Sequence, residues 1–563
     1  MSFDHPDLDA VRRQLNHRQN HVIDEMRRGG LSRRDFLRAA SVAGIGLPLA
    51  GLIAGPAMAA KKKAPTKAPK KGTPTTAAKA QTQLRLGVIA PGSKIDPVIA
   101  NNGGALLVLG LAGEYLAFSN NDLILEPRVA QSWSASADST RWTFTIRKGI
   151  KFHNGQTHTA DDVVATFDRL ADPANKSNAL SVFKGVLSKG NIKKVDANTV
   201  TFQLDIPVGS FPYLVSSDNY NCIILPANYA GDWETTFEGS GPWVKEKYVV
   251  DQGVTFVKNP NYWNKAHQSS IDRLVLVQFK DDKAGLAQLQ GGQLDGLSMI
   301  TNNTAYSALK GDPNYAIETP PSTGHLQVHL RSDKGPFADK RLRQAFALTL
   351  DRPGIITGVA DGLGVQGNDS PMAPAYPTTD KSVAQRAKDL AKAKALMTAA
   401  GKPDGFEVTL SSWDRGDIKL LAQIAQAAAK DIGIKVNLDI VSAGDYYDDK
   451  RSPSWLNSDF GITEYGHRGV PNVYLNAAYK TGGVWNAAHY SSPDLDASIK
   501  TFVESADPAT QKAASKKIQE TLLEDSPVVT AIFGSAIQIT KKNVTGLVTT
   551  GMNHIDTGKA AIS

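Results

Sequence analysis

Three features of the sequence predict an α/β protein with mixed sheets flanked by helices. From about Gly324 onward, apolar strands and amphipathic helices alternate with short links, the pattern of parallel pairing. Before that point, strands of period two are joined by hairpin turns. Apolar residues make up 41% and aromatics 7% of 563 residues, ordinary for a globular body of roughly three to four domain-sized units.

The elements follow in order. Leu84 to Ile89 alternates as a first strand, and Gly103 to Leu116 is a small, apolar, buried helix ending near Glu114. Trp142, Phe144 and Ile146 share one strand face, with Thr143, Thr145 and Arg147 on the other. Lys148-Gly149 turns the chain, Ile150 and Phe152 continue the apolar face, and His153-Asn154-Gly155 turns it again. Thr159 with Asp162 three residues later predicts a capped helix start, followed by Val163, Phe167 and Leu170 at helical spacing. Val200, Phe202 and Leu204 mark another strand. Gly239-Ser240-Gly241-Pro242-Trp243 is a tight junction, read as a crossing or hinge-adjacent stretch. Strands at Val254–Val257 and Leu274–Val277 precede a helix over Ala284–Leu289.

The later half predicts helices over Asp339–Leu350, Arg386–Ala400 with Gly401 as its stop, Ile418–Ile432 with Gly433 as its stop, and Asp507–Glu524. Strands fall at Phe406–Leu410, Ile434–Leu438 and, late in the chain, Val528–Ile539.

The amino terminus carries an address. Arg33 and Arg34 stand one residue, Asp35, before Phe36-Leu37. A small, Gly-rich apolar run then ends in the small-x-small pattern of Ala57 and Ala59, where signal peptidase cuts. Pro48, Pro56 and four glycines make this run a poor membrane span. The pattern is similar to a twin-arginine signal, which carries folded proteins across the bacterial inner membrane. Residues 1–59 are therefore the signal peptide, and 60–83, rich in Lys, Ala and Pro, a disordered solvated linker. The expected location is the periplasm, after export and cleavage.

Charge and cysteine content exclude several functions. The net charge of +8 belongs to the first 83 residues; the rest holds 48 basic against 49 acidic groups, no basic stripe for nucleic acid. The single cysteine, Cys222, makes no internal disulfide or Cys-based zinc site and is expected in the core. Ser240 lacks the five-residue setting of a nucleophile elbow. No Gly-rich phosphate loop with lysine and no metal-spaced His pair occurs. No catalytic residue, cofactor or resident metal is assigned, and an extracytoplasmic enzyme is the disfavoured alternative.

Several stretches together resemble the extracytoplasmic solute-binding proteins of ABC importers, in the class taking up peptides, nickel chelates and related solutes. They are Glu126–Trp133, Trp142–Gly155, Thr159–Val163, Gly239–Trp243, Arg341–Leu348 and Tyr465–Pro471. The resemblance implies two lobes that close on a ligand like a hinge. Lobe I would comprise residues 84–125, 235–320 and 526–563, with an additional mixed α/β domain at 126–234; lobe II would be 321–525. The implied function is capture of a small solute, peptide-like or otherwise organic, by a monomer that delivers it to permease subunits in the inner membrane. A metal-chelate binder of the same family is the alternative, with His467 and His489 as candidates.

The resemblance also points to the ligand site. Peptide-binding relatives carry an acid a few residues before the proline matching Pro471, and here His467 and Arg468 stand in that stretch. A cation there repels an ammonium group and attracts a carboxylate or phosphate. The expected ligand-binding residues are Arg468, His467, Tyr465, Trp485, Asn486, Tyr220 and Asn221. Glu464 is a further acid whose direction strand alternation leaves open.

Overall fold

The computed structural model describes residues 81–563 except 90, 92, 93, 280, 299–302 and 449. The export residues Arg33, Arg34, Ala57 and Ala59, and all of the linker before Gln81, lie outside the described residues. Thr82 and Gln83 belong to the folded body: Thr82 N–H donates to Asp272 Oδ2 at 3.0 Å, and the first strand starts at Gln83. The linker therefore gives way to structure before the expected residue 84.

Three sheets carry the fold. A seven-stranded sheet runs, from one edge, through Tyr315–Glu318, Gln538–Lys541, Gly296–Leu297, Gln83–Ile89, Arg273–Phe279, Gly253–Lys258 and Trp243–Val249. Its central strand, Gln83–Ile89, pairs in parallel with both neighbours; the remaining pairs are antiparallel. A six-stranded sheet runs through Val365–Gln366, Val528–Ser535, Pro321–Leu330, Phe460–Tyr465, Glu407–Trp413 and Lys435–Val441. Here Glu407–Trp413 is parallel to both neighbours, as strand–helix–strand linkage through Gly416–Lys430 requires. A four-stranded antiparallel sheet, Ala130–Ala135, Arg141–Ile146, Thr199–Gln203 and Ile192–Asp196, lies within the stretch expected as the additional domain.

Local sequence explains the elements. Trp142, Phe144 and Ile146 are buried while Arg141 and Thr145 are exposed. Thr159 and Asp162 form the capping box that starts Ala160–Ala171. The apolar helix Gly103–Ala112 is buried on nearly all sides, so it needs no polar face. Cys222 lies in the same core at 0% exposure. The helix expected from Arg386 begins only at Leu390, capped by Asp389, because Arg386 is drawn away to Asp369.

Two expectations change. The late strand is two strands. Val528–Ser535 belongs to the six-stranded sheet and Gln538–Lys541 to the seven-stranded one, so the boundary expected at 526 falls instead at Ala536-Ile537. The chain crosses once more between Glu318 and Pro321. The two crossings lie side by side, Ala536 N–H donating to Pro320 C=O at 3.0 Å. Gly239–Trp243 is not a crossing. Gly241 N–H donates to Ala112 C=O at 2.9 Å, and Gly239 and Gly241 press so closely on the end of Gly103–Ala112 that a Cβ would collide with its carbonyls. The glycines there serve close packing.

Inside the second lobe, Asp369 is fully buried beneath two guanidiniums. Both its oxygens accept from Arg352 Nη2 at 2.7 Å, and Arg386 Nη1 lies 3.2 Å away. Replacing Asp369 by Ala leaves two cations without their carboxylate in a dry interior. It should cost about 3–5 kcal/mol, read as a lower urea midpoint; an unchanged midpoint would show that the pair is not structural.

Candidate functional site

A cleft of about 840 Å³ lies between the two large sheets, within the usual size of small-molecule sites. The second-lobe wall sits where Phe460–Tyr465 and Val528–Ser535 end and Pro321–Leu330 begins. Carboxyl ends of strands are where open α/β sheets bind ligands. The facing wall comes from the start of the buried helix (Gly103, Leu106), from Tyr220, and from Gly551–Asn553. The helices Gly103–Ala112 and Gly416–Lys430 both start at the cleft, the first capped by Asn102, whose Oδ1 accepts from Ala105 N–H at 3.1 Å.

Arg468 lines this cleft on the loop after Phe460–Tyr465. Its backbone is fixed on both sides: its N–H donates to Thr323 Oγ1 at 2.8 Å, and its carbonyl accepts from Thr323 Oγ1 at 2.7 Å and Tyr376 OH at 2.9 Å. The side chain is less committed. Nη1 donates to the His467 carbonyl at 3.2 Å, and Nε is enclosed without a hydrogen-bond partner. Among the described residues, no carboxylate lies within 4.0 Å of its guanidinium nitrogens.

His467 also lines the cleft, but not as a cation. Its Nδ1 accepts from Thr323 N–H at 3.1 Å, which places the ring hydrogen on Nε2. Burial, then the neighbouring Arg468 charge, lowers its pKa to about 3. The expected pair of cations is therefore one cation beside a neutral donor.

Glu464 faces the cleft and is answered by Arg415, whose Nη1 donates to it at 2.6 Å while Nε and Nη2 hold Asp417 at 2.7 and 2.9 Å. Arg415 also covers the Trp413 ring at 4.9 Å. One cation between two acids leaves this wall with a carboxylate in excess.

The other expected residues divide. Tyr220 lines the cleft, its hydroxyl accepting from Asn178 Nδ2 at 3.1 Å. Tyr465 offers the cleft one edge; its ring is packed among His325, Tyr474 and Trp485. Trp485 stands behind Tyr465 rather than on the cleft wall. Asn221 and Asn486 are buried loop ties. Asn221 Nδ2 donates to the carbonyls of Pro97 and Ala100 at 2.7 and 2.9 Å, and Asn486 Nδ2 to that of Tyr490 at 2.8 Å. Their amides are consumed by backbone, so neither reaches a ligand. His489 points elsewhere, its Nε2 on the Leu456 carbonyl at 2.8 Å.

The two lobes touch beyond the cleft. Gly209 N–H donates to Val503 C=O at 2.8 Å, and Asn472 Nδ2 to Ser210 Oγ at 2.8 Å. Leu123, at a hairpin tip with φ +55°, packs on Ala373, Tyr376 and Phe533 of the second lobe.

Comparison with known proteins agrees with this geometry. The model of the bacterial extracellular solute-binding proteins, family 5, matches residues 125–483. Heme-binding protein A of Haemophilus influenzae is 27% identical, over 69% of this chain and 75% of its own. Di/tripeptide-binding protein 1 of Pseudomonas aeruginosa is 26% identical, over 74% and 82%. The solved structure of HbpA2 from Haemophilus parasuis superposes with a TM-score of 0.74 at 22% identity, covering 85% of this chain and all of that one.

A neutral, Nε2-protonated His467 should show no titration between pH 8 and 5 in nitrogen-detected NMR, its signal assigned with His467→Gln. Because its folded pKa lies below the unfolded 6.5, it costs stability only as pH falls below 6.5. A midpoint near 6.5 would contradict the assigned tautomer.

Proposed function

The chain belongs to family 5 of the bacterial extracellular solute-binding proteins, and we propose that it captures a small organic solute through an anionic group held by Arg468. It is a substrate-binding component of an ABC importer, and closure around the solute is what its permease subunits would read. The observation that carries the anionic reading is a cleft-lining guanidinium with no carboxylate within 4.0 Å among the described residues. The Nε2–H donor of His467 beside it, and two helix amino termini at the cleft, favour the same charge. On the Arg415 side, the surplus carboxylate of Asp417 and Glu464 favours a solute that also carries a donor or cationic group. A peptide-like or amino-acid-derived acid has both.

The metal-chelate alternative is less well supported. Thr323 N–H occupies His467 Nδ1, the hydrogen sits on Nε2, and His489 is engaged away from the cleft. A ring nitrogen must be unprotonated to ligate.

The protein reaches its place of work, on this reading, through the twin-arginine route, with cleavage after Ala59, and acts as a monomer. Replacing Arg33 and Arg34 together by Lys should leave the chain in the cytoplasm, unprocessed, in cell fractions. Equal export of the variant would reject that route.

The ligand is found by native mass spectrometry of protein purified from its own periplasm, or by a thermal-shift screen with peptides, opines, oligosaccharides and metal chelates. Solute at 100 times its dissociation constant stabilises the fold by about 2.7 kcal/mol. Arg468→Ala should then weaken binding about 10- to 100-fold, the loss of one charge-assisted contact. Unchanged affinity would reject Arg468 as the anchor.

A further inference from the structure

Behind Arg468, away from the open cleft, the two lobes meet at a second, much smaller cavity of about 10 Å³, the room of a single water. Its walls are apolar (Val182, Leu214, Val470, Val473) except for Tyr213, Asn219 and two charged side chains, Asp218 and Arg468. Arg468 belongs to the second lobe. Asp218 belongs to the opposite body: Ser217 N–H donates to Ala117 C=O at 3.0 Å, and Ser217 C=O engages His554 Nε2 at 2.8 Å.

Each charged group keeps one enclosed atom without a hydrogen-bond partner: Oδ2 of Asp218 and Nε of Arg468. The carboxylate lies directly on Gly469, where a Cβ would collide with it. Glycine at 469 thus lets a backbone close onto a carboxylate from the other lobe. Two opposite charges, each incompletely satisfied, at one water-sized gap between bodies that open and close, is an arrangement expensive to leave unused.

We propose that Asp218 is the resident counter-ion of Arg468. Reaching across from the opposite lobe, it answers the guanidinium through a one-water gap in the closed protein, where a solute's anion would otherwise be the only negative partner. The last clause rests on the reading of Arg468 as an anion anchor; the pairing does not.

The surroundings make the pairing protonation-dependent. Burial raises the Asp218 carboxyl from its ordinary 3.8 to about 7, against the pull of the Ser119 hydroxyl and, behind it, of the Arg468 charge. The other titratable groups that face this pair are the Tyr213, Tyr220, Tyr376 and Tyr474 phenols and, beside Arg468, His467. The phenols stay neutral at these pH values, since burial raises each of them. His467 is neutral, and His554 beyond it is lowered to about 4. Near neutral pH, Asp218 is therefore the group whose charge changes.

The test is urea unfolding of the exported, full-length protein from pH 4.5 to 9, without solute. A carboxyl raised in the fold binds a proton that the unfolded chain has lost, so stability declines as pH rises from about 4 and levels near 7. Wild type should show that decline. Asp218→Asn should lack it. Arg468→Gln should extend it to higher pH, because the carboxyl then ionises without its cation. Arg468→Lys, which keeps the charge, should level between the two and serves if the Gln variant does not fold. The double variant should follow Asp218→Asn. A decline that persists in Asp218→Asn, or that ends at the same pH with and without Arg468, would overturn the proposal. Curves as expected, with a solute whose affinity ignores Arg468→Ala, would keep the pairing and remove the anion anchor.

Discussion

Everything in this molecule depends on two neighbouring crossings. The chain passes between the large sheets at Thr319-Pro320 and at Ala536-Ile537, and a single backbone hydrogen bond, Ala536 N–H to Pro320 C=O, ties the passages together. Because they are adjacent, the sheets are joined along one line, and everything away from it is free to open. Each sheet has its own apolar core, so separation uncovers little beyond local interlobe contacts such as the seat of Leu123. The cleft, the interlobe hydrogen bonds and the seat of Leu123 follow from that choice of connection.

Electrostatics divides the cleft into a committed side and an uncommitted one. Arg415 is fully answered by Asp417 and Glu464, and its contact with Trp413 fixes its plane. Arg468 has a rigid backbone and an underused side chain, held at Thr323 and Tyr376 but unpaired at Nε. A fixed donor that is not internally satisfied costs little to reorganise when a ligand arrives. The neutrality of His467 sharpens this, because one positive charge rather than two faces the cleft at this point.

Much of the fold was legible in the sequence where local chemistry and burial agree. The alternation at Trp142–Ile146, the capping box at Thr159 and the helix stops at Gly401 and Gly433 all reappear, the glycines with φ of +72° and +81°. What failed depended on long-range contacts. The run Val528–Ile539 is continuous in apolar character, yet two sheets claim its halves. Gly239–Trp243 looked like a joint, but its glycines serve contact with a distant helix. In the site, Arg468 and Tyr220 reach the cleft from sequence position alone, whereas Asn221 and Asn486 are consumed by carbonyls that no local pattern reveals. Asp218 and Arg415 were not singled out in the sequence, since Arg468 and Glu464, which give them their place at the interlobe cavity and the cleft, lie far along the chain.

The central claim is that two rigid bodies close about the paired crossings when solute binds. The direct measurement is the distance distribution between spin labels at Val250→Cys and Val484→Cys, two exposed sites on opposite lobes, with buried Cys222 left in place. Addition of the solute should move the distribution to a shorter, narrower distance. An identical distribution with and without saturating solute would contradict closure.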